Sequence, residues 1–252
     1  MTNIPRPAGI SESVIAHDVM AATTLFNQWQ VYKSIIDHDW MLHREIHAAV
    51  HAFVKWNYQT RFSLLDLGCG DAGFTRQTFE STQLAHYTGV DASAPALEEA
   101  SQNLAAVRFG VQLVEGELLG YLALASSQGH QAYELILAGY SVHHLTNDEK
   151  QRFFTLCRTV LGPAGSLIFY DIFRRPGETR EQHVAAYTEM VRTAWGLTGE
   201  ALENTCRHVR EQDFPETVAA TQEMAHKAGF ESDGLELFTA TDGFHRLLCF
   251  VT

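Results

Sequence analysis

Basic residues are scarce. There are 18 Lys and Arg against 30 Asp and Glu, a formal net charge of -12. A surface this acidic repels phosphate backbones, and the densest basic spot is only the pair Arg174–Arg175, so no nucleic-acid partner is expected. Cysteine is equally sparse. Cys69, Cys157, Cys206 and Cys249 lie far apart, so there is no zinc-ribbon spacing, and the scatter suits a reducing cytoplasm. No apolar run approaches the ~18–20 residues of a membrane span. The opening residues have neither a basic n-region nor an apolar h-region, so no signal peptide is expected. Internal repeats and low-complexity tracts are missing too. What is present is a globular composition: 252 residues, 46% hydrophobic and 19% charged. A chain of that length buries roughly 70–75% of its unfolded surface and needs no disulfide or metal staple. Thirteen histidines charge partly near pH 6, where the net negative charge should fall steeply.

Residues 11–58 contain no Gly or Pro and read as helical. Val14, Val19, Leu25, Trp29 and Tyr32, then Ile46, Val50 and Phe53, recur at near-helical spacing. From residue 61 the texture changes. Short apolar runs (Phe62–Leu67, Tyr87–Val90, Val111–Val114, Leu135–Ala138, Leu167–Tyr170) alternate with helical stretches near 74–82, 95–106, 118–126 and 148–160. That alternation predicts an α/β fold, a mostly parallel sheet covered on both faces. Gly162-Pro163-Ala164-Gly165 marks a turn entering the fifth strand. Residues 172–213 break the alternation and read as an inserted helical segment over one edge of the sheet. A helix with Pro215 and Glu216 in its first turn follows, ending near Gly229. Leu235–Ala240 and His245–Val251 flank Thr241-Asp242-Gly243, a hairpin signal, so the sheet should finish with an antiparallel pair.

The first strand runs into Gly68-Cys69-Gly70-Asp71-Ala72-Gly73, which also fits the dinucleotide spacing G-x-G-x-x-G. Glycines there permit a tight turn and close ligand approach. Asp66 stands two residues before Gly68, Asp91 ends the second strand, and Glu117 lies just beyond the third. Three acids at three adjacent strand ends make a poor pyrophosphate site. They suit a ligand carrying an ammonium, a sulfonium, a ribose and an adenine amine. Each acid alone also fits an ordinary solvated loop.

Leu65-Asp66-Leu67-Gly68-Cys69-Gly70 resembles the first motif of class I S-adenosylmethionine-dependent methyltransferases, and Gly89-Val90-Asp91 resembles their ribose-binding motif. Glu115-Gly116-Glu117 stands where the family usually has Gly-Asp. The run from Tyr133 to Leu145, with His143-His144-Leu145, resembles its fourth strand and following loop, and the small-molecule branch in particular. The likeness covers 61–171 and 214–252; Asp71-Ala72-Gly73 is one residue longer than the usual ending. It implies a single domain, 1–252, with a Rossmann-like sheet of seven mostly parallel strands and an antiparallel terminal hairpin. Residues 1–60 would be a helical N-terminal cap and 172–213 an inserted helical cap. It further implies S-adenosyl-L-methionine as cofactor, with S-adenosyl-L-homocysteine as product. Asp66 would hold the methionine amino group, Gly68, Cys69 and Gly70 would meet methionine and ribose, and Asp91 and Ala92 would take the ribose. Gly116 and Glu117 would meet the adenine, and Tyr140 would approach the sulfonium. The activity implied is methyl transfer to an O or N atom of a small molecule. The alternatives are a nicotinamide-dependent oxidoreductase and a non-catalytic binder of the same cofactor; aminopropyl transfer would show a richer glycine-aspartate loop.

A weakly acidic acceptor needs a general base within hydrogen-bond reach. His143, directly after strand four, and Asp171, ending strand five, are the candidates. A loop hydrogen bond for His143 and a helix N-cap for Asp171 are the competing structural readings. Tyr32, Met41, His43 and His144 are candidate acceptor-binding residues, the first three in an N-terminal stretch dense in aromatic, histidine and acidic groups. An amphipathic surface helix is the alternative there. His38 and His43 are five apart, not the i, i+4 of helical zinc ligands, so no metal is expected.

Overall fold

In the computed structural model of the chain, residues 29–129, 133–231 and 233–252 are described. The expected helical extension appears as α1 (29–37) and α2 (His43–Asn57), with a turn between them in which Asp39 and Leu42 have positive φ. The part of the predicted extension at 11–28 lies outside the described residues. Then come β1 (Phe62–Leu67), α3 (Gly73–Phe79), β2 (Leu84–Asp91), α4 (Ala94–Asn103), β3 (Gly110–Glu115) and α5 (Leu118–Ser127). They are followed by β4 (Tyr133–Gly139), a 3-10 turn (Val142–His144), α6 (Asn147–Val160) and β5 (Leu161–Ile172). The chain closes with α7 (Arg180–Ala194), α8 (Gly199–Gln212), α9 (Val218–Lys227), β6 (Leu235–Thr239) and β7 (His245–Val251).

Among the described residues seven strands form one sheet in the order β3-β2-β1-β4-β5-β7-β6. The first five run parallel, while β7 is antiparallel to both β5 and β6. Strand order reverses between β1 and β4. In such sheets the ligand crevice opens beyond the carboxyl ends of the strands at that switch point. The central strands are mostly apolar because helices cover both faces, with Asp66 of β1 and Asp171 of β5 the buried acids near their carboxyl ends. On one face Ile46, Val50 and Val54 of α2 pack with Tyr187 of α7, Trp195 and Cys206 of α8; on the other, Leu122, Phe153, Phe154 and Phe230 fill the space under α5, α6 and α9. None of the described helices is long and apolar enough to cross a membrane.

Local sequence sets the helix starts. Ser93 caps α4, and Thr146 with Glu149 and Thr179 with Gln182 form capping boxes on α6 and α7. Three expectations need correction. Pro215 and Glu216 are not in the first turn of α9, because Thr217 is its N-cap. Gly162–Gly165 does not precede the fifth strand. α6 runs straight into β5, and the turn is a bulge inside it, with Ala164 at φ 60 and a register shift opposite Tyr133 and Leu135. Asp171 caps no helix; it lies within β5.

Candidate active site

The turn after β1 needs left-handed backbone at Gly68 (φ 75) and Gly70 (φ 53). A Cβ at Gly68 would sit 2.8 Å from the Ser141 Cβ, so only glycine lets β1 and the β4 loop approach this closely. Gly68 and Cys69 donate their amides to the Val90 carbonyl at 2.8 and 3.1 Å. Gly70 donates to Asp91 Oδ2 at 2.9 Å, and Gly73 to Asp71 Oδ1 at 3.0 Å. These four amides are committed inside the protein and are not free to hold a pyrophosphate. The third glycine opens α3, and the residue that lengthens the loop, Ala72, takes up φ 51 as its N-cap.

The acids lie where the spacing put them, in three different environments. Asp66 is buried; its Oδ2 accepts from Thr75 Oγ1 and Tyr87 Oη, both at 2.9 Å. Burial outweighs those bonds and pushes its carboxyl up to about 6. Asp91 is half-buried and held by Gly70 on one oxygen and the Ser93 amide on the other, at 2.8 Å. Two accepted bonds fix the carboxylate's plane and leave it lone pairs for a vicinal diol. Its carboxyl is raised by burial, and nearby Glu117 adds to the rise. Glu117 itself is exposed at the start of α5, and Gly116 donates to the Asp91 carbonyl at 2.9 Å. Ala92 is exposed beside Asp91. Cys69 turns its thiol away from the loop's open side, under Gly89, whose Cβ would come within 2.9 Å of that sulfur. Burial holds the thiol well above its ordinary range, so it is an inert filler.

α1 covers this loop. The Trp29 ring lies 3.7 Å from where a Gly70 Cβ would stand, and its Nε1 donates to Glu99 Oε1 at 3.0 Å. Lys33 bridges Glu99 and Asp71. Behind this cover lies an aromatic cluster. Tyr32 faces His43 edge-on at 6.4 Å, and His43 meets Tyr140 at 5.1 Å. Tyr140, at φ 48, donates its hydroxyl to the Met41 carbonyl and packs edge-on against Tyr170 at 5.1 Å. The structure therefore brings Tyr32, Met41, His43 and Tyr140 together. Asp91, Asp171 and Asp71 all lie near enough to Tyr32 to reinforce what burial does, raising its phenol.

His143 and Asp171 also meet. Asp171 accepts from the His143 amide at 3.0 Å and from the Ile172 amide at 2.9 Å, and its Oδ1 holds His143 Nδ1. His144 is exposed and turns from the aromatic cluster toward Asp213 and the Gln212 carbonyl. Residues missed by sequence reasoning complete the edge. His47 links Thr78 (2.8 Å) to the Tyr170 hydroxyl (3.1 Å). Tyr187 meets His245 Nε2 at 3.2 Å, and Trp40 stacks on Trp195 at 5.7 Å. His208 and Asp213 come from the inserted helices. Only the i, i+4 spacing of His43 and His47 on an otherwise apolar α2 face hinted at any of them.

Comparison with known proteins fits this geometry. Residues 64–165 match the family described as "Methyltransferase domain". An uncharacterised methyltransferase of Anoxybacillus flavithermus is 26% identical over 108 residues, which cover 43% of this chain and 46% of that protein. The chain thus aligns with about half the length of the curated relatives it matches. Among solved structures, magnesium protoporphyrin IX methyltransferase of Synechocystis, with bound S-adenosylhomocysteine, superposes with a TM-score of 0.61 at 13% identity over 95% of this chain and 99% of that one. Human N-acetylserotonin methyltransferase, in complex with S-adenosylmethionine, gives 0.59 at 11% identity, covering 90% of this chain and 56% of its own. At such identities the likeness is one of fold.

Proposed function

Because the chain carries a class I S-adenosylmethionine-dependent methyltransferase domain, we propose that it transfers a methyl group from S-adenosyl-L-methionine to an oxygen or nitrogen of a small molecule. The observation that carries this reading is the Asp91 carboxylate, fixed by two backbone amides beside a glycine loop whose own amides are already committed. Such a site takes a ribose diol and rejects a pyrophosphate, which favours a single nucleoside over a nicotinamide dinucleotide. Gly68 and Gly70 keep the backbone low enough for a ligand to lie on it, and Asp66 offers a carboxylate to an ammonium. Gly116 and Glu117 border the place for the adenine.

The bound cofactor would supply a methyl group already activated on sulfonium sulfur. The protein's part is to align an acceptor with that methyl and to keep water out. Tyr32, Met41, His43 and Tyr140 are the proposed walls of the acceptor site, and His143, oriented by Asp171, is its proposed polar edge. The cover formed by α1, α2, α7 and α8 supports a small-molecule acceptor. The net charge of -12 disfavours nucleic acid. Four free, buried thiols support work in a reducing cytoplasm.

Calorimetric titration with S-adenosyl-L-methionine and with a nicotinamide dinucleotide tests the reading. The first should bind and the second should not. Asp91→Ala should weaken the first by about 1.5–3 kcal/mol for each charged hydrogen bond lost. Unaltered affinity in that variant would remove Asp91 from the site. Binding without methyl transfer to any small phenol, alcohol or amine would make the chain a binder and not an enzyme.

A further inference from the structure

We propose that His143, His144, His208 and Asp213 form a binding site for one divalent transition-metal ion, zinc or a close chemical relative. Asp213 follows α8 directly, and its Oδ1 is the hub. It lies 3.7 Å from His143 Nε2, 3.4 Å from His144 Nδ1 and 3.6 Å from His208 Nε2. The ligand atoms of His143, His144 and Asp213 all fall within 4.8 Å of one another. A tetrahedral ion with bonds of ~2.0–2.2 Å sets its ligand atoms about 3.4 Å apart. The three separations from Asp213 Oδ1 are long for hydrogen bonds and close to that edge length; His208 stands just outside the group of three and would have to close on the ion to serve as its fourth ligand.

A second observation is independent of this spacing. Asp213 is 3% exposed, and Oδ1 makes no directed hydrogen bond. A buried carboxylate oxygen without a partner is costly. The neighbouring cations do not serve it. Lys150 is held by Glu216 and the Phe214 carbonyl. Arg180 donates to the carbonyls of Asp213 and Arg210 at 2.8 and 2.7 Å, fixing the backbone that carries the carboxylate and not the carboxylate itself.

The histidines are arranged as ligands. Asp171 holds Nδ1 of His143, which leaves Nε2 as the atom facing Asp213. A carboxylate behind a histidine is the usual outer support of a metal-bound imidazole. His144 gives up only a 3.3 Å contact with the Gln212 carbonyl. The side chains of His144 and His208 are 38% and 46% exposed, so one side of the cluster is open for an ion to enter. Three imidazoles and one carboxylate suit zinc, cobalt or nickel better than magnesium or calcium. An ion here would stand at the mouth of β4 and β5, and would tie the inserted α8 to the sheet.

The test needs no methyl transfer. The whole chain is stripped with a chelator and titrated with zinc chloride in a calorimeter, then with cobalt(II) followed by visible absorption. One ion per chain should bind saturably at micromolar concentration or below, with the strong visible bands of four-coordinate cobalt. Asp171→Asn should weaken binding about 10–100-fold, and Asp213→Asn and His208→Ala by more. His144→Ala changes only an exposed side chain, and it too should weaken binding if Asp213→Asn fails to fold. Absence of saturable one-to-one uptake would overturn the site, as would uptake that survives His144→Ala and His208→Ala together. Either failure leaves cofactor binding at Asp91 untouched, so the two readings stand or fall separately.

Discussion

The two halves of the sheet's carboxyl edge are built in different ways. Beyond β1, β2 and β3 the site is made largely of backbone and near neighbours. Asp66 is nine residues from Thr75, and Gly70 is 21 from Asp91. Beyond β4 and β5 it is made of side chains from distant segments. Tyr140 reaches Met41 across 99 residues, His47 reaches Tyr170 across 123, and the inserted helices supply Asp213 and His208. A half built from backbone and near neighbours tolerates little change in its short motif. A half assembled from side chains on added helices can change its ligand while the sheet stays the same.

The sharpest way to break this contrast is at the seam between the halves. A Cβ at Gly139 would fall 1.9 Å from Cζ of Tyr170. That ring cannot swing clear, because His47 holds its hydroxyl at 3.1 Å and Tyr140 packs edge-on at 5.1 Å. Gly139→Ala should therefore destabilise the fold by about 3 kcal/mol or more, read from the urea midpoint. Near-native stability would mean that the aromatic wall yields, and that the acceptor half is softer than its packing suggests.

The contrast also explains what the sequence could tell. The placement of the candidate cofactor residues was legible because it sits in the order of the chain: Asp66, Gly68, Gly70 and Asp91 lie at the ends of strands that apolar runs had already located. The sheet, its closing hairpin and the inserted helices followed from the same periodicity. The bulge at Gly162–Gly165 was misread because Gly-Pro chemistry marks a bend without saying whether the strand resumes. His143 and Asp171 were each visible, but not their contact, which depends on β4 and β5 lying side by side. His208, Asp213 and the Trp40–Trp195 stack carried no local signal. Their meaning comes from where α7 and α8 dock, which no period in the sequence encodes.

A pH titration of stability separates the halves by sign. His43 and His47, under the acceptor half, are buried neutral, and burial lowers both to about 3. Unfolding frees them to take a proton near pH 6.5. Stability should therefore fall as pH drops from about 6.5 toward 3, by about 1.4 kcal/mol per pH unit for each histidine. Asp66, in the cofactor half, behaves oppositely. Its folded value, about 6, lies above its ordinary one, so lowering pH through 6 toward 4 favours the folded state and partly offsets the loss. Chemical melts between pH 7 and 4 should show a net fall. His47→Gln should flatten it by about 1.4 kcal/mol per pH unit, and Asp66→Asn should steepen it. A curve unchanged by His47→Gln would mean that His47 charges freely in the folded protein.

The smallest expected effect concerns the cover itself. Trp40, in the turn between α1 and α2, stacks on Trp195 at the end of α7 with ring centroids 5.7 Å apart and planes 12° apart. Trp195 is buried and also meets Tyr187 edge-on at 6.1 Å, so its loss alone would mix the stack with core packing. A double-mutant cycle with Trp40→Leu and Trp195→Leu removes that mixture. The coupling should be about 0.5–1.5 kcal/mol, the range for an aromatic pair beyond its buried area. Its effect should also be local. Trp40→Leu should speed amide exchange in 29–42 and 180–212, the two sides of the cover, and leave β1 to β3 unchanged. Faster exchange through β1 to β3 would show that the cover and the cofactor half open together, and the division of the edge into two halves would fail. No coupling in the cycle would instead mean that the extension and the insertion close over the mouth independently, each held by its own contacts to the sheet.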